Sequence, residues 1–228
     1  MAIQAARAQR AETNVNNLLK SMGNKVDEAV GQAIAALLHT NSHVVVSVLE
    51  TSVAIQELEF AFDQAVFSAL ERGSLAAPEA RRLTSAVNIS KDLAQLGVLA
   101  ANLGRKVSEV GKHHEHEDFS RLQPLAIAVS HLCRQTLRSL ARLDPVLART
   151  AAHSGASVDA YRDYVLRSLS RPEPHVPQSH VKDEQDLHLI FASRCLEQIA
   201  DNAIHLAENL VEFLDSQDDQ ENPQNMAS

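Results

Sequence analysis

Glu197, Asp201, His205 and Glu208 follow one another at intervals of four, four and three residues. On a helix turning about 100° per residue, that spacing places all four on one narrow stripe. Three carboxylates and an imidazole in a row can ligate a metal ion, since cations take carboxylate oxygens and imidazole adds a nitrogen donor. The same row makes an equally ordinary hydrated surface. Ile199, Ala203, Leu206 and Leu210 fall on the other side of the same helix, as a core face should.

Other residues capable of chemistry are scattered. Lys112–Asp118 reads KHHEHED, but His113, His114 and His116 match no zinc spacing and read as a solvated break between helices. The two cysteines, Cys133 and Cys195, form no CxxC and sit in apolar helical patterns, which suits buried thiols. No Glu has a His three residues later, so the paired E-x-x-H of a ferritin-like di-iron centre is absent. Neither a G-x-S-x-G elbow nor a phosphate-binding P-loop occurs. His153 and Ser154 stand as an isolated pair and read as helix surface. The chain is therefore read as a non-enzyme.

Composition bounds the elements that must carry these residues. The 228 residues suffice for a sizeable core, and 45% hydrophobic against 22% charged residues indicates a folded chain. Aromatics make up only 4%, with no Trp, which suits closely packed helices rather than a β-sandwich or barrel. A net charge of −8 argues against nucleic acid as a partner. No apolar run approaches the roughly 18 residues of a membrane span, and the N-terminus lacks an apolar signal core. A soluble, cytoplasmic protein without membrane insertion is expected.

Apolar steps of three and four residues predict six helices. They run over about 12–39, 43–72, 78–110, 119–143, 145–170 and 182–214. Asn41-Ser42 and Asp144-Pro145 are candidate N-terminal caps, and Gly73 a left-handed stop. Gly155 marks a weak point in the fifth helix. Arg171–His180 is a Pro-punctuated loop, and the acidic tail, 216–228, is expected to be disordered. Gly97 and Gly104 share one face of the third helix, which implies the close approach of a neighbour.

The six helices fall into two groups of three. An offset of 103 residues sets Lys91–Gly97 on Arg194–Ala200 and Asn41-Ser42 on Asp144-Pro145. Two landmarks share one offset without a gap, which implies two similar lobes, 15–112 and 118–215. At the same offset, Glu197, Asp201, His205 and Glu208 fall on Ala94, Val98, Asn102 and Arg105. The first lobe thus lacks the stripe of the second.

Several short motifs resemble the PhoU family of phosphate-uptake regulators. Ser21-Met22-Gly23 with Val26-Asp27 resembles the family's opening "MG…V" helix. Glu59-Phe60-Ala61-Phe62-Asp63 is similar to its E-x-x-I-D, and Glu79-Ala80-Arg81 to its D-L-R. Leu93 to Asn102 and Leu196 to Asp201 stand where the family has L-E-R-I-G-D, and Val158-Asp159 resembles a V-D on helix five. The spacing from Ser21 to Asn102 needs no insertion.

The resemblance implies an all-α bundle of two tandem three-helix repeats. It implies a regulator that acts with a phosphate ABC transporter and a sensor histidine kinase, damping uptake and the phosphate-starvation response. Dimerisation is expected on the same ground. A helical adaptor that keeps the fold but serves another system is the alternative. Family members bind metal ions or clusters through E/D-x-x-x-D motifs. Carried over, these give Asp159, Glu197, Asp201 and His205 as a lobe-two ligand set for a divalent metal, iron or zinc. Glu59 and Asp63 are a lobe-one remnant. Ser52, Gln56, Ala94 and Val98 erode the first site, while Gly155 and Arg162 erode the second. An Arg beside a site repels a cation, so absence of any cofactor is favoured.

Overall fold

The computed structural model describes residues 2–39, 44–71, 77–113, 119–169 and 180–221. Among them are seven α-helices and no strand. They are α1 (Ala2–His39), α2 (Val44–Leu70), α3 (Ala77–His113), α4 (Gln123–Arg142), α5 (Pro145–Ala152), α6 (Gly155–Leu169) and α7 (His180–Glu221). A 3-10 turn at Ser120–Leu122 leads into α4. The caps expected at Asn41-Ser42 and Gly73, most of the KHHEHED segment and most of the Pro-rich loop lie outside the described residues.

The seventh helix comes from division of the expected fifth. Asp144 caps α5 as anticipated: its Oδ1 accepts from the backbone N–H of Val146 at 2.9 Å and of Leu147 at 3.1 Å, with Pro145 in the first turn. Such a cap contributes about 1 kcal/mol. The helix then stops at His153-Ser154, where His153 Nδ1 meets the Arg149 carbonyl at 2.6 Å and Ser154 Oγ donates to the Thr150 carbonyl at 2.8 Å. Side chains that bond the preceding turn compete with helix continuation. Gly155 opens α6, and a Cβ there would lie 3.0 Å from Ile204 Cδ1 of α7. Its lack of a side chain lets the two helices approach closely.

Two other boundaries differ from expectation. The first helix begins at Ala2 rather than near residue 12, and the last runs to Glu221, through part of the expected tail. Ala, Gln and Arg dominate the first segment, and no Gly or Pro interrupts the last before Pro223. Neither stretch contains a residue that stops a helix.

Helices α1, α2 and α3 pack on one another, as do α4, α5, α6 and α7. The groups meet where α3 lies along α7 and α1 along α4. One core runs through both, from Val15, Met22 and Val26 on α1 to Leu206, Leu210 and Phe213 on α7. Gly97 lies where α3 crosses α2: a Cβ there would meet Ile55 Cδ1 at 2.8 Å. At Gly104 the nearest atom, Val48 Cγ1, is 3.6 Å away, an ordinary contact.

Candidate functional site

The stripe on α7 is uneven. Glu197 is 9% exposed, whereas Asp201, His205 and Glu208 are open to solvent. The helix turns Ile199, Ala203, Leu206 and Leu210 fully inward, as their spacing requires. Glu197 lies at the edge of that core and is held on its own helix. It accepts from Arg194 Nη1 at 2.8 Å and from Ser193 Oγ at 3.5 Å. His205 Nδ1 lies 3.4 Å from Glu208 Oε2, a contact that is ionic only when the ring is protonated.

Asp159 and its neighbours on α6 complete the second-lobe motif. Arg162 Nη1 lies 2.9 Å from Asp159 Oδ1, one turn earlier, and Nη2 lies 3.3 Å from Asp163 Oδ1. Desolvation acts downward on the Arg162 guanidinium. Asp159, Asp163 and Glu197 outweigh it and raise its pKa. The guanidinium is thus the positive charge that the carboxylates of α6 and Glu197 of α7 share.

A metal ion does not fit these residues. Oxygen ligands would have to converge on one point, and here Arg162 already pairs with Asp159 while Arg194 pairs with Glu197. Among the described residues, no group of three or more His, Cys, Asp and Glu side chains could hold a metal ion. Asp159 and Glu197 come into one electrostatic neighbourhood through Arg162. Asp201 and His205 do not join them in a ligand set. His205 acts instead on Asp92 of α3, whose pKa burial raises while the Asn209 hydrogen bond and the His205 charge oppose the rise.

The first-lobe remnant follows the same logic. Glu59 is partly buried on α2 and Asp63 is exposed. Burial raises the Glu59 pKa, the Asp63 charge adds to the rise, and Lys91 of α3 opposes it. Ala94, buried, and Val98, half-buried, supply no donor. Each lobe therefore sets a basic side chain of its own, Lys91 or Arg162, beside the acidic motif.

Two polar features escaped the reading of motifs. Asn209 Nδ2 of α7 donates to Asp92 Oδ2 of α3 at 2.6 Å, across the junction of the two groups of helices. A cleft of about 670 Å³ opens beside α4, lined by His131, Arg134, Arg138 and Arg142 with Ile34, Ile127 and Leu147. Intervals of three and four residues put these bases on one face of α4. That spacing, in a chain of net charge −8, was the available signal.

Residues 19–107 match the family model of the PhoU domain. The phosphate-specific transport system accessory protein PhoU homolog of Pseudomonas putida is 26% identical over 198 residues, covering 86% of this chain and 76% of the relative. The crystal structure of PhoU from Pseudomonas aeruginosa superposes with a TM-score of 0.81 at 24% identity, covering 91% of this chain and 98% of that one. The phosphate transport system regulatory protein PhoU from Streptococcus pneumoniae gives 0.73 at 16% identity, covering 92% and 96%. These two likenesses establish the same all-α fold.

Proposed function

We propose that this chain, which belongs to the PhoU family, is a non-enzymatic accessory regulator of phosphate transport. Its partners on this reading are a phosphate ABC transporter, a sensor histidine kinase of the phosphate-starvation response, or both. The observation that carries it is the agreement of domain match and fold. The PhoU-domain match, residues 19–107, falls on α1, α2 and α3, and the helical bundle aligns with 98% of the length of a PhoU structure.

Regulation here runs through protein contacts rather than metal occupancy. Arg162 pairs with Asp159 and Asp163 in the second group of helices, and the charge of Lys91 opposes the rise of the Glu59 pKa in the first. No helix of the described residues is long and apolar enough to cross a membrane. On this reading the chain engages a membrane transporter through the transporter's cytoplasmic parts. Affinity purification of the tagged chain from its own host tests this. Recovery of the transporter ATPase or of the kinase is expected, and recovery of neither contradicts the proposal.

A further inference from the structure

The outer face of α2 carries four large apolar side chains at seven-residue intervals. Val46 is 62% exposed, Val53 55%, Phe60 67% and Phe67 59%. A seven-residue repeat keeps them on one almost straight line along the helix. The inward faces of α2 are filled by other residues, among them Val48, Ile55 and Phe62, so the line is not part of the core.

The fold itself does not require this line. At the 103-residue offset of the repeat, Val46, Val53 and Phe60 correspond to Arg149, Ala156 and Asp163 of the second lobe. The second lobe forms its own helices with polar or small residues at these places. An apolar ridge kept in water over three heptads marks a surface that another element covers.

Charge identifies the kind of element. Glu50, Glu57 and Glu71 stand four residues after Val46, Val53 and Phe67, about 40° around the helix from the ridge. Asp63 flanks the other side, and α2 contains no Lys, Arg or His. A second copy of α2 laid against this face would bring acid against acid. An anionic membrane surface meets the same repulsion. A helix with basic residues beside its own apolar seam instead matches both the ridge and its acidic border.

We propose that the outer face of α2 docks an amphipathic helix of a partner protein that carries Lys or Arg beside its apolar seam. The inference stands on α2 alone and goes beyond the phosphate reading, which could fail without affecting it. The occupant lies along the ridge with apolar side chains at every third and fourth position, and its basic residues face Glu50 and Glu57.

The test uses fluorescently labelled synthetic helical peptides of about four heptads with Leu at the seam. One carries Lys and the other Glu at the flanking positions. Fluorescence anisotropy measures their binding to the full chain, to Phe60→Ser/Phe67→Ser and to Glu50→Lys/Glu57→Lys, each checked for helicity by circular dichroism. The Lys peptide is expected to bind the unmodified chain roughly tenfold or more tightly than the Glu peptide, and each double variant to lose roughly tenfold. The charge variant is further expected to reverse the preference. Equal binding of both peptides, or undiminished binding to Phe60→Ser/Phe67→Ser, overturns the proposal. Sedimentation velocity supplies the remaining arm: a dimer that dissociates in Phe60→Ser/Phe67→Ser would assign the face to a second copy and overturn it too.

Discussion

Arg162 Nη1 lies 2.9 Å from Asp159 Oδ1, one turn apart on α6, and Glu197 of α7 is among the charges that raise the guanidinium pKa. A guanidinium at this point occupies the electrostatic role of a bound cation. Tag-free protein prepared without added metal should therefore contain far less than one zinc, iron or manganese ion per chain by elemental analysis. Arg162→Ala removes the competing charge and should bind manganese or zinc more tightly than the unmodified protein in calorimetric titration. Stoichiometric metal that is lost in Glu197→Ala/Asp201→Ala would contradict this account of the second lobe.

Glu59 and Asp92 should make the fold slightly less stable as pH rises. Burial is the largest cause of both shifts, and both carboxyls are held above their ordinary values of 4.5 and 3.8. A carboxyl whose pKa is higher folded than unfolded binds its proton more tightly in the native state. Its contribution is most favourable below the unfolded pKa and declines as pH passes through the folded one. Glu59→Gln and Asp92→Asn remove that decline. Relative to the unmodified chain, each variant should gain in melting temperature between pH 3 and pH 7, followed by calorimetry. A relative loss over that interval would contradict the shifts.

Two glycines on one face of α3 should respond oppositely to alanine. At Gly97 a Cβ would lie 2.8 Å from Ile55 Cδ1, so Ile55 must move. Overpacking costs about 1–3 kcal/mol and outweighs the helix gain of about 1 kcal/mol, so Gly97→Ala should destabilise. Gly104 has Val48 Cγ1 at 3.6 Å, which leaves room. Gly104→Ala should stabilise by about 0.5–1 kcal/mol. Urea unfolding monitored by circular dichroism distinguishes the two signs.

The cysteines should differ in reactivity. Burial pushes the Cys133 thiol up to about 12, with Asp27 adding to the rise, so almost no thiolate forms at pH 8. Cys195 is only partly buried, and its thiol is raised by desolvation against the opposing charge of Lys106. Iodoacetamide should label Cys195 slowly in the native protein and Cys133 only after unfolding, as read by peptide mass spectrometry. Native labelling of Cys133 would contradict its placement on the buried face of α4.

Local chemistry was legible in the sequence where it acts over a few residues. Asp144-Pro145 announced its cap, and the periodicity of α7 placed Ile199, Ala203, Leu206 and Leu210 in the core. The break at His153-Ser154 was harder to read because it rests on side-chain bonds to the preceding turn. The helix ends at Ala2 and Glu221 carried no stop signal. Leu70 continues the three- and four-residue apolar steps of Phe62 and Val66 along α2 but is 52% exposed. Periodicity finds an apolar face without telling which neighbour covers it. That is also why the Val46–Phe67 ridge was not distinguished from core.

The candidate site was legible in kind but not in arrangement. Spacing placed Glu197, Asp201 and His205 on one stripe, and Arg162 was visible as a charge hostile to metal. The pairing of Arg162 with Asp159 and Asp163 depends on rotamers that spacing does not specify. The bond between Asp92 and Asn209 spans 117 residues of chain and arises only when α3 lies along α7.

Phosphate-responsive gene expression in a deletion strain tests the proposed role most directly. In medium rich in phosphate, loss of this chain should switch on a phosphate-starvation promoter, and the unmodified gene supplied in trans should silence it again. Labelled-phosphate uptake should change in the same strain. A reporter and an uptake rate that stay the same with and without the chain, at high and at low phosphate, would contradict the account.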